Sequence, residues 1–600
     1  DTFATLNKLE RYRGHFYNWY DTQTLQPLHP LYVSTVDSGN LAGHLLTLRQ
    51  GLLELEHDSI ISPRVFDALR DTLAVAMAEA GLAEGHPQTP DALIPIQQHL
   101  SMCCMTRPST LAAVSLGLKH ALQYAQEWAV TLDAEDETHR WALKLIDQAE
   151  EAYDALVFLA PWLELPNMAT LGPGALGPLN VIPTLHELAG WEAAWPDMLR
   201  AMDSYSPHTD PAALASVRPM IALASQRAKA RIDTLHALAA EAQEFAQMEF
   251  GFLYAKQPRL LTIGYNVDEM RRDSGYYDLL ASEARLCNFV TIAQDQLPQE
   301  SWFALGRQLT RVGGDPILLS WSGSMFEYLM PMLVMPTYDD TLLDQTCKAA
   351  VTRQIAYGKQ LGLPWGMSES GYNLVDVNFN YQYRAFGVPG LGLKRGLADD
   401  IVIAPYATAL ALMVFPEAAC ANLQRLAAEG LTGRHGFYEA VDYTLSRQRR
   451  GEKRTILRSY MAHHQGMTLL SLAYLLLNRP MQRRFEADPL FQSTMLLLQE
   501  RIPKATVLHT PSNELAEIRV ATGPTEVSMR VISTPHTAVP EVQLLSNGRY
   551  HVMVTNAGGG YSRWKDLAVT RWREDTTRDH WGTFCYLRDV GSRAFWSTAY

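Results

Sequence analysis

Leu363-Pro-Trp-Gly-Met-Ser-Glu-Ser-Gly-Tyr-Asn373 is a loop by composition. Pro364 cannot continue a helix, and Gly366 and Gly371 punctuate the chain around Trp365, Glu369 and Tyr372. Comparable Gly- and aromatic-rich segments recur nearby: Gly264-Tyr-Asn266, Arg272-Asp-Ser-Gly-Tyr276, Trp321-Ser-Gly-Ser324, Gly387–Gly396 and Gly433-Arg-His-Gly436. Between and before them, apolar residues return at spacings of three and four. That pattern predicts helices over Asn40–Leu55, Pro63–Ala80, Pro108–Leu132, Glu137–Leu159 and Asp210–Phe245. Helices joined by such loops predict a mainly α fold, an (α/α)6 barrel with additional helices, whose loops gather at one end and carry the site.

The texture changes near Arg501. Glu514–Val520, Val527–Val531, Glu541–Leu545, His551–Val554 and Leu567–Arg571 are short and rich in Val, Arg and Thr. Asn547-Gly and Asn556-Ala-Gly-Gly-Gly560 divide the later ones as turn signals. We therefore expect a helical domain over 1–480, with an N-terminal helical part (1–245) and a part carrying the site loops (246–480). A linker over 481–513 and the start of an antiparallel β-sandwich over 514–600 would follow. The chain opens mid-pattern, ends in Phe595-Trp-Ser-Thr-Ala-Tyr600, and reads as a piece of a longer protein.

Bulk properties narrow the function. Six hundred residues call for more than one domain, and 47% hydrophobic residues supply the cores. A net charge of −13 argues against nucleic acid, which needs clustered Lys and Arg. Cys103, Cys104, Cys287, Cys347, Cys420 and Cys585 show no zinc spacing and no disulfide framework. The runs Tyr406–Phe415 and Met467–Leu477 are too short to span a bilayer. His463-His464 points two ways on a helix and lacks metal-ligand spacing, and no Gly-rich segment has a phosphate-loop pattern, so neither metal nor cofactor is expected.

Two acids have settings suited to sugar chemistry: Glu369 in the loop above, and Glu283 in Gly275-Tyr-Tyr-Asp-Leu-Leu-Ala-Ser-Glu-Ala-Arg285. A carboxyl pair is the minimum equipment for breaking and remaking a glycosidic bond. Candidate sugar contacts are Trp321, Trp365, Tyr372, Asn373, Tyr276, Asp278, Arg384, Glu327, Glu439, His463 and His464, with Met367 as a further water-excluding wall. Glu439 and Asp442 are read as three apart on a helix, and Asp37 as the cap of the helix that follows it.

Several long motifs resemble the middle region of bacterial cyclic β-1,2-glucan synthases, a glycoside hydrolase family 189-like domain. They are Tyr32-Val-Ser-Thr-Val-Asp-Ser-Gly-Asn-Leu-Ala-Gly-His44, Ser282-Glu-Ala-Arg285, Trp321-Ser-Gly-Ser-Met-Phe-Glu327 and Gly366-Met-Ser-Glu-Ser-Gly-Tyr-Asn373. Tyr383-Arg-Ala-Phe-Gly-Val-Pro-Gly-Leu-Gly392 and Ser459-Tyr-Met-Ala-His-His-Gln-Gly466 belong with them. The resemblance implies a transglycosylase that closes linear β-1,2-glucan into a ring with net retention, Glu369 acting as nucleophile and Glu283 as general acid/base. It also implies glycosyltransferase and phosphorylase-like modules in the same parent chain. The parent would be an inner-membrane protein, with this region outside the bilayer on the cytoplasmic side. The competing readings are an inverting endo-β-1,2-glucanase and a non-catalytic glucan-holding module.

Overall fold

The computed structural model describes residues 1–81, 90–165, 177–205, 211–312, 315–377, 379–502, 532–537, 539–571 and 581–597. The expected strands Glu514–Val520 and Val527–Val531, and residues 503–513 of the expected linker, lie outside the described residues. The earlier part of that expected linker is helical instead: Pro480–Ala487, Pro489–Gln492 and Met495–Gln499 bury Phe485, Phe491 and Leu498 in an apolar core. The chain divides into two compact units, Asp1–Leu515 and Ala516–Tyr600.

The first unit is mainly helical, as its sequence pattern predicts, and it holds two large apolar cores. One is built on the helices Val65–Glu79, Ile94–Thr106, Leu111–Ala129 and Glu137–Leu159, and contains Phe66, Trp128 and Trp162. Local chemistry ends these helices cleanly. The Thr110 and Asp136 side chains accept backbone N–H bonds at two N-termini, and Arg107 at φ 48° terminates the Ile94–Thr106 helix.

The second core carries the site. The helices Thr35–Glu54, Ala284–Ala293, Met325–Leu329, Leu342–Leu361, Pro405–Leu410 and Ala462–Leu476 all contribute to it or pack against it. Pro211–Phe245 spans both cores, giving Val217 and Ile221 to one and Ala242 and Phe245 to the other. The loops read from sequence as Gly264–Asn266 and Arg272–Tyr276 are short antiparallel ladders. Tyr32–Ser34 pairs with Gly264–Asn266, which pairs with Arg271–Arg272, and Leu260–Thr262 pairs with Tyr276–Tyr277.

Helix Thr35–Glu54 meets helix Ala284–Ala293 at a contact that only glycine permits. A Cβ on Gly39 would lie 2.2 Å from Cys287 Sγ and 2.6 Å from Cys287 Cα. The backbone cannot yield as a flexible side chain would. Gly39→Ala is therefore expected to cost about 3 kcal/mol or more in stability, read as a lowered denaturation midpoint. Gly117→Ala, which meets the Phe66 ring edge at 2.7 Å, serves as a comparison in the other core.

The second unit contains an antiparallel sheet of Val542–Ser546, Tyr550–Thr555, Gly560–Trp564 and Leu567–Ala568, joined in that order. Asn547 Oδ1 accepts the N–H groups of Arg549 and Tyr550, and Gly548 takes φ +82°, which closes the first hairpin.

Candidate active site

Glu283 stands at the N-cap of helix Ala284–Ala293, with its carboxylate accepting from Ser282 Oγ at 3.3 Å. Glu369 is the last residue before strand Ser370–Val375. The Tyr406 hydroxyl, bonded to Ser368 Oγ and the Glu369 carbonyl at 2.8 Å each, fixes that backbone. Burial, with the Glu327 and Asp37 charges adding to it, pushes Glu283 up to about 7. Burial pushes Glu369 up to about 8, with Glu283 the strongest charge acting on it, followed by Glu327 and Asp37. The two sequence-predicted acids thus share one electrostatic site. No side-chain donor opposes the shift of Glu369, whereas the Ser282 hydroxyl partly opposes that of Glu283.

Asp37 is the participant that the sequence reading placed elsewhere. Ser34 caps the helix by accepting from Asp37 N, so Asp37 is left in the first turn with an exposed side chain. It lines a cavity of about 910 Å³ together with Phe16, Trp19, Phe326, Tyr383 and His463. The segment Phe16–Trp19 had no sequence signal for this role; the Tyr32–Ser34 ladder and the helix that follows bring it there.

The structure sorts the other candidates. Trp321 is 62% exposed, while Trp365 at 7% and Met367 at 3% belong to the core. Trp365 is held there through its carbonyl, which accepts from Thr408 and Asn422, so it forms no cleft wall. The Glu327 carboxylate accepts from Ser320, Ser322 and Ser324 hydroxyls and from the N–H groups of Trp321, Ser322 and Ser324. It organises the Trp321 loop and has no lone pair left for a sugar. Tyr276 and Asp278 are exposed beside the Leu260–Thr262 ladder.

Asn373 is consumed by Asp442, Arg447 and Thr455, Tyr372 packs edge-on against Phe386, and Arg384 is ion-paired with Asp400. Glu439 is not on a helix. It immediately precedes strand Ala440–Asp442, where pairing with Val402–Ile403 and Thr455–Leu457 overrides the three-residue spacing. His463 and His464 do lie on a helix, Ala462–Leu476. His463 faces the cavity, and His464 is buried against Glu439 at 2.9 Å. Among the described residues, no group of three or more His, Cys, Asp or Glu could hold a metal, and no helix is long and apolar enough to cross a membrane.

Over 99% of its length the chain is 36% identical to "Cyclic beta-(1,2)-glucan synthase NdvB" of Rhizobium meliloti (strain 1021). The chain is related to a segment of the cyclic β-(1,2)-glucan synthases. It spans 19% of that relative's length. Residues 275–488, which include both acids, match the family described as putative glucoamylase. Residues 525–600 match the supersandwich domain of glycosyl hydrolase 94. An endo-β-1,2-glucanase from Talaromyces funiculosus, solved with sophorose, has a TM-score of 0.36 at 12% identity, covering 82% of this chain and 86% of its own. A β-1,2-glucanase from Parabacteroides distasonis has a TM-score of 0.32 at 12% identity, covering 73% and 60%.

Proposed function

We propose that this region is a glycoside transglycosylase that closes linear β-1,2-glucan into a ring with retention of the β-anomer. The observation that carries this is the pair Glu283 and Glu369, two carboxyls of raised proton affinity that both feel the charge of Asp37, a residue lining the large aromatic cavity. A module that only held glucan would gain nothing from two carboxyls whose burial costs free energy. The relationship to cyclic β-(1,2)-glucan synthase supplies the substrate class.

Retention follows from two inversions. Glu369 attacks the anomeric carbon while Glu283 protonates the departing sugar oxygen, giving a glycosyl ester on Glu369. Glu283, now a carboxylate, removes the proton of the incoming hydroxyl at the far end of the same chain. That oxygen attacks the anomeric carbon and releases Glu369. The glucan, its domain-mates in a longer parent and any membrane attachment through other parts of that parent belong to this same proposal.

Hydrolysis and transglycosylation separate by the source of the attacking oxygen. With linear β-1,2-glucan in H₂¹⁸O, the expected products carry no ¹⁸O at newly formed ends. One ¹⁸O per cleavage would identify an endo-glucanase instead, and an unchanged but bound glucan would identify a holding module.

A further inference from the structure

Gly466 sits inside helix Ala462–Leu476, where glycine is a poorer helix former than alanine. No packing contact demands it, because a Cβ built there meets no heavy atom within 4 Å. Gly39 and Gly117 differ, since their neighbours leave no room for a Cβ. The space that Gly466 leaves open belongs to the cavity of about 910 Å³, which it lines. That cavity reaches the segment carrying Glu369. Two of its lining residues are Phe326, whose N–H donates to Ser368 Oγ at 3.0 Å, and Tyr383, the ladder partner of Gly371.

The lining of the cavity has two unlike parts. Helix Thr35–Glu54 contributes Asp37, Asn40 and His44, which share one face at spacings of three and four and span about 10 Å. The Asp37 carboxylate only accepts. His44 Nδ1 is 2.8 Å from the Asn40 carbonyl oxygen, itself an acceptor, so the His44 proton sits on Nδ1. His44 Nε2 keeps a lone pair and has no partner among the described residues. Helix Ala462–Leu476 contributes the apolar part, with Gly466, Met467 and Leu470 at the same spacings. Trp19, 53% exposed, adds a flat aromatic face. Among the described residues no Lys or Arg lines the cavity, and burial favours the neutral rings of His44 and His463.

We infer that this cavity binds a run of neutral sugar residues of the glucan chain, with Trp19 as their stacking platform, the Asp37–Asn40–His44 face accepting from their hydroxyls, and Gly466 keeping the space open. The inference rests on the β-1,2-glucan reading given above and adds where the chain lies beyond the bond being cleaved. A β-linked glucopyranose has the same two-sidedness as the cavity. Its C–H faces are apolar and suit Trp19, Met467 and Leu470, while its equatorial hydroxyls are donors for a row of acceptors. An anionic ligand would meet the Asp37 carboxylate with no cation in the lining to offset it. The helix pays for Gly466 in propensity, and the return is room for a ligand.

Binding tests this without turnover. Linear β-1,2-glucan is titrated calorimetrically into the full chain carrying Glu369→Gln, and into the same chain with a second substitution. Trp19→Ala should weaken binding about tenfold, and Trp19→Phe, which keeps a flat ring, by threefold at most. Gly466→Leu fills the cavity and should weaken binding at least tenfold while the chain melts no lower than its parent. The same glucan oxidised at its primary hydroxyls to carboxylates should bind at least tenfold more weakly than the unmodified glucan. Binding within twofold of the parent in both Trp19→Ala and Gly466→Leu overturns the inference, as does equal binding of the carboxylated glucan. A lower melting point in Gly466→Leu overturns the role given to that glycine. If the wild type converts glucan while these shifts are missing, the cavity assignment fails and the catalytic reading stands. If the shifts appear without any conversion by the wild type, the catalytic reading fails and the cavity assignment stands. No binding of glucan to any form overturns the substrate reading and this inference with it.

Discussion

Glu369→Gln and Glu283→Gln are each expected to slow conversion of linear β-1,2-glucan by about a thousandfold or more, while glucan binding persists. The amide keeps the shape of the carboxyl and removes both its charge and its transferable proton. The two variants should differ in their rescue. With an activated aryl β-glycoside, whose leaving group departs without an acid, a small anion such as azide added to Glu283→Ala replaces the incoming hydroxyl and needs no base, so β-glycosyl azide should accumulate while Glu369 still forms the ester. Added to Glu369→Ala, azide attacks from the vacated side and gives the α-glycosyl azide by one inversion. The anomer of the azide, read by proton NMR, assigns the two roles. The opposite pattern would exchange nucleophile and acid/base.

The second large effect concerns pH. Glu283 is raised to about 7 and Glu369 to about 8, so the pair retains a proton far above the usual carboxylate range. Coupled groups lose protons in steps that belong to the pair. The alkaline limb of activity is expected near pH 8 rather than near 4.5. Asp37→Asn removes a charge that raises both groups, so this limb should move toward acid by about half a unit. Stability follows the same linkage. A carboxyl whose folded value is raised binds its proton more tightly in the folded state. Its contribution is present below pH 4.5 and is lost as pH rises through about 8. Glu369→Gln should therefore be more stable than wild type at pH 8.5, on the order of 1 kcal/mol, and show no such gain at pH 4. Thermal melts at the two pH values check this. An equal effect at both would remove the electrostatic account of the site.

The residues that were legible in the sequence are those whose information is local. Glu137–Leu159 is bounded as its apolar spacing predicts, with Asp136 ready to cap it. The Asn547-Gly turn closes the hairpin it announces. Glu283 and Glu369 stood out because Ser, Gly and aromatic neighbours surround each of them. What the sequence left unread depends on pairing across long stretches of chain. Gly264–Asn266 looks like a loop until Tyr32–Ser34 is placed beside it. Asp37 looks like a cap because Val36-Asp-Ser-Gly-Asn40 suits one, but Ser34 takes the cap and leaves Asp37 in the first turn, where its charge acts on both acids. Trp365 and Trp321 are alike in sequence setting, yet one is core and the other exposed, because the Asn422 and Thr408 partners of Trp365 lie on helices beyond its loop.

The central claim is ring closure, and the most direct measurement is a mass. The chain is incubated with linear β-1,2-glucan, the products are digested with an exo-acting β-glucosidase, and the survivors are weighed by mass spectrometry. The account predicts resistant β-1,2-glucans lighter by one water than linear chains of the same length, absent with Glu283→Gln and with Glu369→Gln. Products that are digested completely would contradict it.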